Sequence, residues 1–435
     1  MSRLMCLVVL MLIGRVAGGQ EFPLAPLVEC SPRAGLANFI AKATQGGDVR
    51  VAYLGGSITA QEGWRPKSLA MLQAAFPKAK VSQVNAAIGG TGSDLGVFRL
   101  KQDVLDHKPD LLFVEFAVND GGTSPERIIK CVEGIVRQAW RALPECDVCF
   151  VYTVTESLVP PLYEGKMQRS ASAMEKVAEH YGIPTIHMGV EVAKLAKAGT
   201  LLWKQAKPKT DEERKAVEGK VLFAPDGVHP FPDTGHALYV EAIERSWPAI
   251  AKASFGGPAG APRALSPHNL EAPVRADNYE NAKIVPLAKL KLSKGVAKLD
   301  AAKDSVGKRF ANRLPELHKA TKAGETIEFK FRGTYAAVYD VIGPDCGQVS
   351  VAVDGGAPAI KPRFDAYCTY HRLAQLGLVA DAPEAVHTVK ITLDAKQPDK
   401  VKILAQRNEK MDKPERFDGT AWYPGAVMIV GELVE

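Results

Sequence analysis

The chain has 435 residues, of which 46% are hydrophobic and 24% charged. That length suits two or three domains of roughly 100–200 residues each, and the composition excludes disordered, collagen-like and coiled-coil classes. A net charge of +6, from 55 basic and 49 acidic residues spread along the chain, argues against a nucleic-acid-binding surface.

In chain order, Arg3, the apolar run Leu4–Ile13 and the small residues Ala17-Gly18-Gly19 predict a secretory signal over residues 1–19, cleaved near Gln20. The mature protein is therefore expected to be secreted or periplasmic. The run is shorter than the ~20 residues of a spanning helix, Arg15 follows it, and no later segment qualifies, so no membrane span is expected in the mature chain. Between Val49 and Trp247 short apolar runs alternate with segments of helical period. Strands are predicted at Val49–Leu54, Val81–Ile88, Asp110–Phe116, Val148–Val154 and Pro184–Met188, and helices at Pro66–Phe76, Pro125–Ala142 and Gln168–Tyr181. Strands joined by helical crossovers imply a parallel sheet covered on both faces, a three-layer α/β/α domain over residues 20–254 with its site beyond the carboxyl ends of the strands. Residues 255–280 are rich in Gly, Pro and Ala and read as a linker. Alternating runs at Thr326–Phe331, Tyr335–Ile342, Gln348–Val353 and His387–Leu393, with a turn at Asp354-Gly355-Gly356, predict an all-β sandwich over residues 281–435.

Six cysteines remain once Cys6 leaves with the signal, and Cys346 with Cys368 is the expected disulfide in an oxidising compartment. Cys146 and Cys149 have the C-x-x-C spacing but no second pair completes a zinc site, and Cys368 and His371 lack further ligands. No metal and no cofactor are expected.

Four segments fall where functional loops of such a sheet belong. The first strand runs into Gly55-Gly56-Ser57-Ile58-Thr59, the second into Ala86-Ala87-Ile88-Gly89-Gly90-Thr91-Gly92, and the third into Ala117-Val118-Asn119-Asp120. Near the end of the domain stands Asp226-Gly227-Val228-His229-Pro230. A serine hydroxyl needs a base near neutral pH, which His229 can supply, and Asp226 three residues earlier can orient the imidazole. Ser93 reads as a helix cap, His187 as a satisfied core histidine, His236 as helix surface and Asp120 as a loop anchor. Trp64 and Arg65 are equally suited to the cleft and to packing, and the charged run Lys204–Lys220 to a solvated helix or a mobile cover.

Taken as an ordered set after a strand-terminal serine, these segments resemble the blocks of the SGNH hydrolases, also called the GDSL esterase/lipase superfamily, and in particular secreted bacterial carbohydrate esterases with a C-terminal β-sandwich. The resemblance implies a flavodoxin-like sheet with Ser57 as nucleophile, Asp226 and His229 completing the triad, and an oxyanion hole from the amides of Ser57 and Gly90 and the side chain of Asn119. Two positions depart from the family pattern: Gly56 replaces the aspartate of Gly-Asp-Ser, and Ala117 the usual glycine of the third block. The implied function is hydrolysis of acyl esters, acetyl foremost, on a carbohydrate or other small ester. Acyl transfer through the same serine intermediate and a non-catalytic carbohydrate-binding protein are the alternatives. Tyr335, Tyr339, Phe364, Tyr367 and Tyr370 could stack on sugar rings, and deletion of an independent sandwich would leave turnover of a small ester unchanged.

Overall fold

The computed structural model describes residues 22–255 and 265–435; the expected signal and the most Gly/Pro-rich part of the linker lie outside them. Six strands form the first sheet: β1 (Cys30–Ser31), β2 (Asp48–Gly55), β3 (Lys80–Asn85), β4 (Leu111–Glu115), β5 (Asp147–Tyr152) and β6 (Thr185–His187). Their order is β1-β6-β5-β4-β2-β3, parallel throughout except for the edge strand β1. Helices α1 (Ala37–Thr44), α2 (Ser57–Ala60), α3 (Trp64–Ala75), α4 (Ser93–Asp103), α5 (Pro125–Ala142), α6 (Pro160–Tyr163), α7 (Arg169–Tyr181), α8 (Val190–Lys197), α9 (Asp211–Ala216) and α10 (Gly235–Ser254) follow.

The inner strands are apolar at nearly every position because both faces are covered. Ala52, Leu54, Leu112 and Val114 face α4, α5 and α7, whereas Val51, Tyr53, Leu111 and Phe113 face α1, α3, α8 and α10. Helix α5 matches its predicted span: Ser124 caps it by accepting from Arg127 N, Pro125 opens it, and Ile128, Val132, Ile135 and Val136 bury its inner stripe. Because β3 and β4 lie on opposite sides of β2, the chain reverses direction across the sheet there, and the crevice at that point is where ligands bind in such folds. The charged run after Trp203 holds only the six-residue α9, fixed by a Thr210/Glu213 capping box, between two strands that pair with each other, β7 (Leu201–Lys204) and β8 (Val221–Ala224).

The second domain is all antiparallel. It contains β9 (Ala282–Pro286), β10 (Lys291–Leu292), β11 (Ala297–Lys298), α11 (Ser305–Phe310), β12 (His318–Lys319), β13 (Thr326–Ile342), β14 (Gln348–Val353), β15 (Ala359–Pro362), β16 (Arg372–Val379), β17 (Ala385–Leu393), α12 (Lys400–Ala405) and β18 (Tyr423–Val434). Eight of these strands form one sheet with the path β15-β14-β17-β13-β18-β9. The two strands predicted at Thr326–Phe331 and Tyr335–Ile342 are one, β13, whose first half pairs with β17 and whose second half pairs with β16. A register shift at Gly333/Tyr335 separates the halves. A side chain at 333 would stand 2.0 Å from Val430 O, so glycine there marks a bulge rather than a turn.

Along the second half of β13 every residue is buried, because alternate side chains serve two cores. Ala336 and Val338 enter the sandwich core with Val349, Ile391 and Val427, whereas Tyr335, Ala337, Tyr339 and Val341 join the core around α4 and α5. Phe98 stacks on Tyr335 at 5.4 Å, Arg127 lies 4.5 Å over the same ring, and Arg313 donates to Ala87 O at 3.2 Å. Residues 265–280 lie along the first domain: His268 stacks on Trp140 at 4.4 Å and bonds Asp147 at 2.9 Å, and Tyr279 N donates to Lys130 O.

The expected Cys346–Cys368 bridge is not formed. All six described cysteines are free thiols, Cys346 directed at Val341 O and Cys368 engaged with Asp365. Cys146 and Cys149 are buried, and burial pushes both thiols up, away from redox reactivity.

Candidate active site

Strand β2 ends at Gly55, and Ser57 opens α2 two residues later. The two glycines are required by space: a side chain on Gly55 would meet Thr59 Oγ1 at 2.5 Å, and one on Gly56 would meet Asn119 Oδ1 at 1.9 Å. The loop after β3 presses on the serine from one side, since a side chain on Gly89 would lie 3.5 Å from Ser57 Cβ. Gly90 adopts φ +74°, a left-handed conformation that favours glycine and turns its amide within the loop. The loop after β4 brings Asn119 against Gly56 from the other side.

A histidine arrives from the far end of the domain. His229 Nε2 is 2.9 Å from Ser57 Oγ, and its Nδ1 is 2.6 Å from Asp226 Oδ2. Asp226 Oδ1 accepts from the backbone amides of Val228 at 2.9 Å and His229 at 2.8 Å. Against partial burial, which raises it, these hydrogen bonds from His229 and Val228 hold the carboxyl at about 2, so it is ionised at neutral pH. The arrangement can draw a proton from Ser57 through Nε2 while Nδ1 keeps its own toward Asp226.

Two buried charged side chains escaped sequence reasoning. Glu115, fully buried at the end of β4, accepts from Thr59 Oγ1 at 2.8 Å and Thr153 Oγ1 at 2.6 Å, tying α2 to the ends of β4 and β5. Burial pushes its carboxyl up. Arg99 on α4 is fully buried too, donating to Gly55 O at 3.3 Å, to Ala86 O and to Asp103 at 2.9 Å, so it clamps the loops carrying Ser57 and Gly90. The available signal was an acid closing a wholly apolar strand and an Arg/Asp pair four residues apart. Asp120 anchors as expected, accepting from Ser93 N at 3.0 Å. Ser93 does not cap: it is the first residue of α4, and its buried hydroxyl has no partner. His236 is fully buried rather than on the surface, its Nδ1 accepting from Trp64 N at 3.1 Å beneath Gly63. Trp64 and Arg65 pack in the core, and His187 is a core histidine bonded to Gln168 at 2.8 Å. Of the five aromatic residues named as sugar platforms, Tyr335, Tyr339 and Phe364 are buried; Tyr367 and Tyr370 are exposed.

Beside this constellation lies a cleft of about 400 Å³ with walls from both domains. Gly90, Asp94 and Asn119 line one side, Arg363, Arg372 and Gln375 the other, and the surface facing it is mostly polar. Arg363 is itself held by paired hydrogen bonds to the buried Asp340 at 2.8 and 2.6 Å.

Residues 53–236 match the model of the GDSL-like Lipase/Acylhydrolase family. A two-domain esterase (CEX) active on acetylated mannans is similar over both domains, with 20% identity, a TM-score of 0.68, and coverage of 93% of this chain and 97% of that one. The structure of that esterase co-crystallized with mannopentaose gives 21% identity and a TM-score of 0.67 over the same shares. Comparison with curated proteins finds no match. The family match runs from the strand that leads into Ser57 through the loop that carries His229, so the α/β domain is similar to the GDSL-like lipase/acylhydrolase family over the whole constellation, which supports a carboxylic ester hydrolase.

Proposed function

We propose that this protein is an exported serine esterase that removes acetyl groups from carbohydrate. The observation that carries this reading is the unbroken Ser57–His229–Asp226 hydrogen-bonded chain, next to loops whose Gly90 and Asn119 line a polar cleft. Ser57 Oγ attacks the ester carbonyl as His229 Nε2 takes its proton; the charge that develops on the carbonyl oxygen is met by the amides of Ser57 and Gly90 and the side-chain amide of Asn119. The imidazolium, stabilised by the Asp226 carboxylate, then protonates the departing sugar oxygen and leaves an acetyl-Ser57 ester. Water, deprotonated by the same histidine, releases acetate and restores the serine.

The substrate class draws support from the cleft's polar lining, which suits hydroxyl-bearing rings better than a long acyl chain, and from the likeness to an esterase active on acetylated mannans. Export rests on the N-terminal sequence. The test is Ser57→Ala in the purified protein, followed by acetate release from acetylated mannan and by hydrolysis of 4-nitrophenyl acetate. The variant is expected to lose about 10³-fold or more in kcat with an unchanged melting profile. Retention of the full rate would remove Ser57 from the chemistry.

A further inference from the structure

The second domain meets the cleft through β16, and its side chains there are unusually short of partners. Among buried polar side-chain atoms without a hydrogen bond in the described residues are Arg372 Nε and Gln375 Oε1 on β16. Asn119 Oδ1 and Asp120 Oδ2 share that condition across the cleft. Buried polar groups in proteins are nearly always paired, so a concentration of unpaired ones around one cavity marks a place where a polar ligand completes the set. The walls touch by a single side-chain hydrogen bond between β16 and α4, from Gln375 Nε2 to Asp94 Oδ2 at 3.2 Å, long for a bond to a carboxylate. Arg372 pairs with Asp365 through Nη2, which leaves the rest of its guanidinium free for a second acceptor.

We infer that Arg372 and Gln375 of the second domain, with Asp94 opposite, bind the hydroxyls of the esterified sugar and set the enzyme's preference for carbohydrate esters. A sugar ring presents neighbouring hydroxyls that donate and accept. One donates to Asp94 in place of Gln375 Nε2, and another accepts from the Arg372 guanidinium and donates to Gln375 Oε1. An aryl or alkyl ester offers none of these groups and gains nothing from that wall. Asp94, Asp120 and Asp365 set against Arg363 and Arg372 leave the lining without an excess of positive charge, which favours a neutral ring over an anionic one.

This inference rests on the esterase reading, and its test separates the two. The quantity is the ratio of kcat/KM on an acetylated mannan oligosaccharide to kcat/KM on 4-nitrophenyl acetate, for the full-length protein and for Gln375→Ala, Gln375→Glu and Arg372→Lys. Thermal melting of each variant excludes unfolding. The ratio is expected to fall at least tenfold in Gln375→Ala and Arg372→Lys, and further in Gln375→Glu, which sets a second carboxylate against Asp94. A ratio that stays at the wild-type value in all three folded variants overturns the inference. Failure of the wild-type protein to hydrolyse either ester instead overturns the esterase reading.

Discussion

Gly56 shows how little room surrounds Ser57. With Asn119 Oδ1 standing 1.9 Å from where a methyl group would sit, Gly56→Ala must push Asn119 aside or rotate the start of α2. Either movement withdraws one of the proposed oxyanion donors, so kcat on 4-nitrophenyl acetate is expected to fall about 10²-fold, in line with roughly 3 kcal/mol per donor. Steady-state kinetics beside a thermal melt check this: a large loss of kcat with a small change in Tm is the expected signature, and wild-type kcat would show that the site tolerates the methyl. The meeting of Ser57, Asp226 and His229, with Asn119 close to Gly56, was legible in the sequence because each stands in a short segment at a strand end, where local order is enough to suggest a shared site. Glu115 and Arg99 were not. The partner of Glu115 is Thr59, 56 residues away, and Arg99 reaches Gly55 across 44, so only the folded chain brings either pair together. His236 misled for the converse reason: Gly63 and Trp64 come from an element that sequence alone does not place above α10.

Between elements, the contact that matters most to the cleft is the one from Asp120, after β4, to the amide that starts α4. Burial pushes the Asp120 carboxyl up to about 7, despite the hydrogen bond from Ser93, and Asp94 adds to the push. In the unfolded chain an aspartate titrates near 3.9. Between about pH 4 and 7 the folded protein therefore holds a proton that the unfolded chain has released, and this group's contribution to stability falls as pH rises, levelling off above about 7. Asp120→Asn cannot ionise. Its stability relative to wild type should accordingly increase from pH 4.5 to pH 7.5, by a few kcal/mol at most. Urea denaturation at the two values measures the difference, and an identical gap at both would refute the buried carboxyl's role. Strand and helix periodicity made most elements of the first domain readable. The second domain was readable in type but not in connection, because Gly333 looks like an interruption between two strands until Val430 O is seen to occupy the space beside it.

For the whole molecule, the issue is whether the second domain is a detachable companion. The run from Tyr335 to Ile342, apolar but for Asp340, was the overlooked signal: a strand with one wet face alternates, and this stretch does not. Tyr335, Ala337, Tyr339 and Val341 share a core with Phe98 of α4 and Ile128 and Val132 of α5. Deleting residues 281–435 would uncover that surface and remove a wall of the cleft. The truncated protein is expected to be insoluble, or soluble with a lowered Tm and impaired turnover even of 4-nitrophenyl acetate, contrary to the behaviour of an independent module. Expression of residues 20–280 beside the full chain decides the matter, and a soluble fragment with undiminished small-ester turnover would restore the module view.

Strand β18 carries a consequence for the order of assembly. It comes last in chain order among the strands, yet it lies between β13 and β9, with β13 its partner from Lys330 to Val341. Ser57, Asp226 and His229 all precede residue 230, and the six-stranded α/β sheet is complete by His187. As the chain lengthens, the catalytic domain can therefore collapse while the interior position of the second sheet stands open, its edges unpaired and its outer face wet. The second sheet is complete only when Tyr423–Val434 slots into place, a pairing across nearly a hundred residues and so among the slowest steps in folding.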